Sequence, residues 1–235
     1  MKQSISWIRV SPEGSGLKKL TFALFVFLGV TAAGSRAGEV QRVADNVDRR
    51  YNRLSTLTTD FTETYKGAGM QRTESGTLAL KKPGKMRWDY LQPREKLFVT
   101  DGKKAYFYVP GEPQARQAPM KKLDDLRSPL RYLLGKTRLQ KEFEGLTLAD
   151  VVPAQAGDVV LQGVPRGMAD RVRRVLLEVG PDGSIHRIVA EEVDGSTTEF
   201  CFSNQREDVA LPDAKFQFHV PPGVEIIQAE DVGEY

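Results

Sequence analysis

The groups in this chain that could do chemistry are few and scattered. His186 and His219 are the two histidines, each within an alternating strand pattern, and neither has a second ligand at metal-binding spacing. Both read as surface or rim residues. Cys201 is the single cysteine, so it has no internal disulfide partner. Set between Phe200 and Phe202, it reads as a small buried apolar residue rather than a reactive thiol. Gly135-Lys136-Thr137 mimics the end of a phosphate-binding loop, but position 130 is Leu where that loop needs Gly. No Gly-x-Ser-x-Gly elbow occurs. Glu63, Glu74, Asp89 and the pair Asp124-Asp125 supply carboxylates. Strand carboxylates that alternate with apolar residues mark a solvated face, and their spacing selects no acid–base pair. No residue argues for an enzyme.

The informative stretch is apolar instead. Gly84 to Pro93, closed by Asp101-Gly102, reads as two strands around a sharp bend. Met86, Trp88 and Tyr90 share one face, with Arg87 and Asp89 on the other. Aromatic groups at a period of two need a sizeable dry space. Tyr106-Phe107-Tyr108 adds aromatic bulk to both faces of a neighbouring strand.

The elements that must position this face follow from periodicity. Val40, Val43, Ala44, Val47, Tyr51 and Leu54 predict an amphipathic helix over 40–55. From Leu57 the period becomes two. Strands are expected from Leu57, across the turn Gly67-Ala68-Gly69, over 72–82, through the 84–93 motif, and at Leu97–Thr100, Ala105–Val109 and Gln114–Ala118. Asp101-Gly102 between alternating runs is a strong hairpin signal. A second helical stretch, Leu123–Leu134, is interrupted by Pro129 and predicts a kink or two short helices that can move as a lid. Val159–Leu161, Val172–Val179, Ile185–Val193 and Ser196–Ser203 are later strands, and Phe216–Val224 reads as a closing strand. The sum is an α+β domain: one curved antiparallel sheet, an open barrel or a sheet wrapped around helices. Whether the helices fill its inner face or leave an apolar cavity stays open at this point.

The start of the chain is an address. Lys18-Lys19, an apolar run Leu20–Val30 and the small residues Thr31-Ala32-Ala33 and Ser35-Arg36-Ala37 have the layout of a cleavable export signal. Residues 1–37 are therefore expected to be a signal peptide and 38–235 a single domain. The apolar run is short for a bilayer span. Residues 1–37 hold five of the 34 Lys and Arg and one of the 31 Asp and Glu, which leaves the remainder near −1. The basic balance thus belongs to the signal and gives no support for a nucleic-acid partner.

These residues carry a resemblance. Lys82-Pro83-Gly84-Lys85-Met86-Arg87-Trp88-Asp89-Tyr90-x-x-Pro93, then Leu97-Phe98-Val99-Thr100-Asp101-Gly102-Lys103, then Phe107-Tyr108-x-Pro110 resemble the LolA family of outer-membrane lipoprotein carriers. The tail Phe216-x-Phe218-x-x-Pro221-x-Gly223-Val224 is similar too, and the likeness covers about residues 40–228, weakly over 123–168. It implies a half-open, strongly curved antiparallel β-barrel with helices forming a lid over an apolar cavity for acyl chains. The cavity residues it points to are Leu78, Leu80, Met86, Trp88, Tyr90, Leu97 and Val99 from strands, with Leu130, Leu133 and Leu134 from the lid. Lys82 stands where the family carries a lid-gating Arg, and a point charge replaces a planar fork.

The resemblance also implies a setting. The protein would be a periplasmic monomer with no cofactor and no metal. Its cargo would be acylated lipoproteins, its donor an inner-membrane ABC transporter (LolCDE-like) and its acceptor an outer-membrane LolB-like protein. No Cys lies near the signal junction, which argues against a lipid-anchored acceptor role. The same apolar cup would also serve a related periplasmic lipid or glycolipid binder. A filled core would fit a non-carrier interaction or sensor domain.

Overall fold

The computed structural model describes residues 31–119 and 138–229. One helix, α1 (Thr31–Arg53), precedes six strands: β1 (Thr56–Gly67), β2 (Met70–Lys81), β3 (Lys85–Gln92), β4 (Lys96–Asp101), β5 (Lys104–Tyr108) and β6 (Gln114–Pro119). A single-turn helix, α2 (Leu139–Glu142), leads into β7 (Phe143–Leu148), β8 (Val159–Pro165), β9 (Val172–Val179), β10 (Ile185–Glu192) and β11 (Thr197–Glu207). A short 3-10 turn, Asp213–Phe216, and β12 (Glu225–Gln228) close the described chain.

All twelve strands form one sheet in the order β12-β6-β5-β4-β3-β2-β1-β11-β10-β9-β8-β7. The sheet does not close on itself, so β7 and β12 are its edges. Long sheets of this kind curl because each strand twists against the next. This one curls around α1. Val40, Val43, Ala44, Val47, Tyr51 and Leu54, the predicted stripe, are all buried against residues of β1–β3 and β7–β11. The helix is longer than its apolar pattern at the start, reaching back to Thr31, and ends at Arg53.

Polar ties fix α1 in place. The Tyr51 hydroxyl accepts the Ile185 N–H at 2.9 Å, and burial pushes its phenol far up from the ordinary value. The Asp48 carboxylate accepts the Leu139 N–H at 3.1 Å and so caps the turn at α2. Lys82 donates its ammonium to the Tyr51 carbonyl, where a cation complements the helix C-terminus. At the β9–β10 turn, Gly183 has φ +84°, and a Cβ there would stand 2.8 Å from the Asn46 backbone. Only glycine lets this turn touch the helix so closely.

Several expectations are corrected. The closing strand is not Phe216–Val224. That stretch holds Pro221 and Pro222, which cannot donate to a ladder. It runs instead across the outer face, and the strand comes later, at β12, paired parallel to β6. That pair is the exception to an antiparallel sheet. Strand β7 and α2 had no periodic signature of their own. Residues 1–30, most of the expected signal peptide, lie outside the described residues. So does the expected helical stretch Leu123–Leu134, with Leu130, Leu133 and Leu134.

Candidate functional site

Cross-strand register decides which side chains share the inner face, because directly opposed residues point the same way. Leu57, Leu80, Met86, Thr100 and Ala105 stand in one such row. Thr59, Leu78, Trp88, Phe98 and Phe107 form the next, and Phe61, Gly76, Tyr90 and Lys96 the third. Trp88 is the centre. Its ring meets Phe61 edge-on at 4.7 Å and Phe200 at 5.8 Å, and its indole N–H points to the Met86 sulfur at 2.7 Å. Gly76 makes the third row possible. A Cβ there would sit 1.9 Å from the Asp89 carbonyl oxygen, and the ladder slips at this position.

Exposure changes across this face. Leu78, Leu80, Met86 and Trp88 are buried in the cluster that includes α1. Tyr90, Phe98 and Phe107, farther along the sheet, are only half-buried. The Arg116 guanidinium lies 5.8 Å from the Phe107 ring centre, a cation–aromatic contact on the same face. The apolar inner surface therefore runs past the strands that α1 covers.

Leu97 and Val99 do not belong to it. They pair with Asp89 and Arg87, which places them on the outer face. Val99 is wholly buried there. Phe218 stacks on Tyr106 at 5.0 Å and leans on Tyr108 at 5.8 Å, and the Asp213–Phe216 turn packs against β3 and β4. The C-terminal segment thus covers the outer face of β3–β5, and of the Tyr106-Phe107-Tyr108 triplet only Phe107 turns inward.

Glu74 corrects a second expectation. It is buried on the inner face, not solvated, and its carboxylate takes the Lys96 ammonium at 2.7 Å with both side chains 5% exposed. Lys96 also sits 4.5 Å above the Tyr90 ring, and Tyr90 donates its hydroxyl to Glu63 at 2.8 Å. Sequence reasoning missed this polar row. The available signal was the position of Lys96, the first residue of a strand that otherwise begins Leu-Phe-Val.

The remaining reactive groups sit on the other side of the sheet. Cys201 is exposed, paired with Thr62 and Arg187 on the outer face, because Phe200 and Phe202 take the inner one. Partial burial and then the Glu199 carboxylate push its thiol up, which keeps it a weak nucleophile. His219 is exposed as expected. His186 is not a lone rim residue. Its Nδ1 meets the buried Asp158 carboxylate at 2.6 Å and its Nε2 meets Ser184 Oγ at 2.8 Å. The distances resemble a nucleophilic triad, but Ser184 Oγ is also bound to the Asp182 carboxylate at 2.5 Å, which ties the hydroxyl into its own turn. Ser184 is also 4% exposed. The network is a turn clasp. Among the described residues no group of three or more His, Cys, Asp and Glu gathers to hold a metal ion.

That clasp reaches α1 through Arg50, whose guanidinium lies 2.7 Å from Asp182. Burial alone would raise the Asp182 carboxyl, but the Ser184 hydroxyl and N–H and then Arg50 hold it down at about 2. Its ordinary value is 3.8, so this stabilisation is complete above about pH 4 and is lost as pH falls through about 2. Asp182→Asn is expected to lower the urea midpoint at neutral pH. The gap to wild type should close between pH 4 and pH 2, and a gap that persists at pH 2 would refute this role.

Among the described residues, an open twelve-stranded sheet curled on α1, with an aromatic inner face, defines a half-open curved-sheet scaffold of the α+β class. The same fold is seen in an uncharacterized conserved protein from Thermus thermophilus, at a TM-score of 0.54 and 13% identity, over 81% of this chain and 99% of that one. The chain belongs to the LolA family: the family model, described as outer membrane lipoprotein carrier protein LolA, matches residues 52–219. It is 28% identical over 214 residues to the outer-membrane lipoprotein carrier protein of Nitrosospira multiformis, covering 89% of this chain and 97% of that one. It is 29% identical over 181 residues to that of Bordetella avium, covering 75% and 82%.

Proposed function

We propose that this protein is a periplasmic carrier that shields the acyl chains of lipoproteins and moves them from the inner to the outer membrane, without catalysis. The observation that carries the reading is the apolar inner face, which continues from Trp88 to the half-buried Phe98 and Phe107 in a member of a lipoprotein-carrier family. Each methylene kept from water is worth about 0.8 kcal/mol, so one long acyl chain costs roughly 10 kcal/mol to expose. Non-directional apolar contacts suit such cargo, because they hold it without fixing it.

On this reading Leu78, Leu80, Met86, Trp88 and Tyr90 line the binding face, joined by Phe98 and Phe107. Leu130, Leu133 and Leu134 act from a lid, and residues 1–37 direct export. Lys82, tied to the last turn of α1 through the Tyr51 carbonyl, is the gating position. A LolCDE-like transporter loads the monomer, and a LolB-like acceptor unloads it. A second reading, a filled core in an interaction domain, draws support from the burial of Leu78 and Trp88 beside α1. Titration of the delipidated protein with a fluorescent palmitoyl probe separates the two. Saturable binding at one site is expected, and a folded protein that binds none would end the carrier reading.

A further inference from the structure

We propose that the buried Lys96–Glu74 pair, with Tyr90 and Glu63, is the polar end of the binding face and recognises the ester and amide carbonyls that join acyl chains to a lipopeptide head. The proposal rests on the carrier reading above. Along β2 the inward positions run Leu80, Leu78, Gly76, Glu74, and along β3 they run Met86, Trp88, Tyr90 with Lys96 opposite Tyr90. One inner face therefore passes from purely apolar to ionic within a few residues. Acyl-chain cargo has the same polarity along its length.

The fold itself does not call for this row. A buried ion pair contributes little more to stability than an apolar pair of the same volume. Glu63 and Glu74 are also directly opposed on β1 and β2, where like charges repel. What relieves them is the Tyr90 hydroxyl on Glu63 and the Lys96 ammonium on Glu74, at 2.8 and 2.7 Å. Arg72, whose Nε is 3.3 Å from Glu74 and whose side chain is 38% exposed, leads the row out toward solvent. Ammonium and phenol are the donors an ester or amide carbonyl would meet on reaching this end of the face. They would exchange part of their present bonding for it.

The test compares two probes on the full protein. One is Nile red, a neutral dye that reports the apolar face; the other is a fluorescent tripalmitoyl-cysteinyl peptide. Lys96→Met with Glu74→Leu removes both charges together and leaves none stranded, so the unfolding midpoint should hold or rise. Nile red affinity is expected to stay within about twofold, while lipopeptide affinity falls about tenfold or more, the scale of a lost hydrogen bond to a charged group. Tyr90→Phe, which keeps the ring, should give a smaller loss in the same direction. Unchanged lipopeptide binding by either folded variant overturns the anchor while leaving the carrier standing. If wild type takes up neither probe, the carrier reading falls and the anchor with it.

Discussion

Trp88→Ala is expected to destabilise the protein by about 3–5 kcal/mol, measured as a drop in the urea midpoint at unchanged slope. The ring is 2% exposed and touches side chains from three strands, β1, β3 and β11. Cutting it to a methyl group leaves a void that α1 and the curled sheet cannot both close. A domain of this size has about 5–15 kcal/mol in total, so the variant would be a large fraction of the way to unfolding. Trp88→Glu would do worse, since it buries a carboxylate among aromatic rings. On the proposed carrier reading this gives a division of labour: Trp88 belongs first to the frame, and Phe98 and Phe107, half-buried on the same row, would be the ones to meet cargo. An unchanged midpoint for Trp88→Ala would mean that the indole hangs in space that α1 does not fill.

Arg187→Met should cost a similar amount, about 3–5 kcal/mol, for an electrostatic reason. Glu178 is wholly buried on the outer face of β9 and accepts Arg187 Nε at 2.8 Å and the Gln155 N–H at 2.8 Å. Burial by itself would raise this carboxyl. The Ala154 and Gln155 N–H groups and Arg187 outweigh it and bring it below the ordinary value. Removing Arg187 strands the charge. Glu178→Leu together with Arg187→Met is therefore expected to recover most of the loss, and a double variant as unstable as the single one would reject the account. The pair matters because Glu178 holds the β7–β8 connection over the outer face, where Ala149 packs on Val160, Leu176 and Val189.

The inner stripe of α1 was readable in the sequence because 3.6-residue periodicity survives wherever one face of a helix is buried. Strand β9 matches its predicted bounds because a run of Val and Leu from Val172 to Val179 is bracketed by turns. The face of β4 was not readable. Leu97, Phe98 and Val99 are apolar on both sides, since the C-terminal segment covers one face and the other belongs to the apolar inner surface. Alternation cannot choose between two buried faces. Only the register across β3 reveals that Phe98, not Leu97 or Val99, sits with Trp88. The ionic row was hidden because a carboxylate in an alternating strand normally faces water. Glu74 departs from that rule chiefly through Lys96, a partner 22 positions along the chain. The triad-like spacing at His186 was equally invisible, since Asp158 arrives from a loop between β7 and β8.

The pairing of β1 with β11 sets the timetable on which the molecule can form. Leu57 stands opposite Glu207, and Thr62 opposite Cys201, so the seam joining the two halves of the sheet cannot zip until nearly the whole chain is present. The edge at β6 waits longer still, for Glu225–Gln228. Closing loops of this size forfeits chain entropy before any contact rewards it. Most pairings in this sheet join consecutive strands, so these two distant seams are the steps expected to be slowest to form. Until then the aromatic face of β1–β3 lacks Phe200 and Phe202, and α1 lacks the β7–β11 side of its core. A chain that stops short of β11 is consequently expected to aggregate through that face.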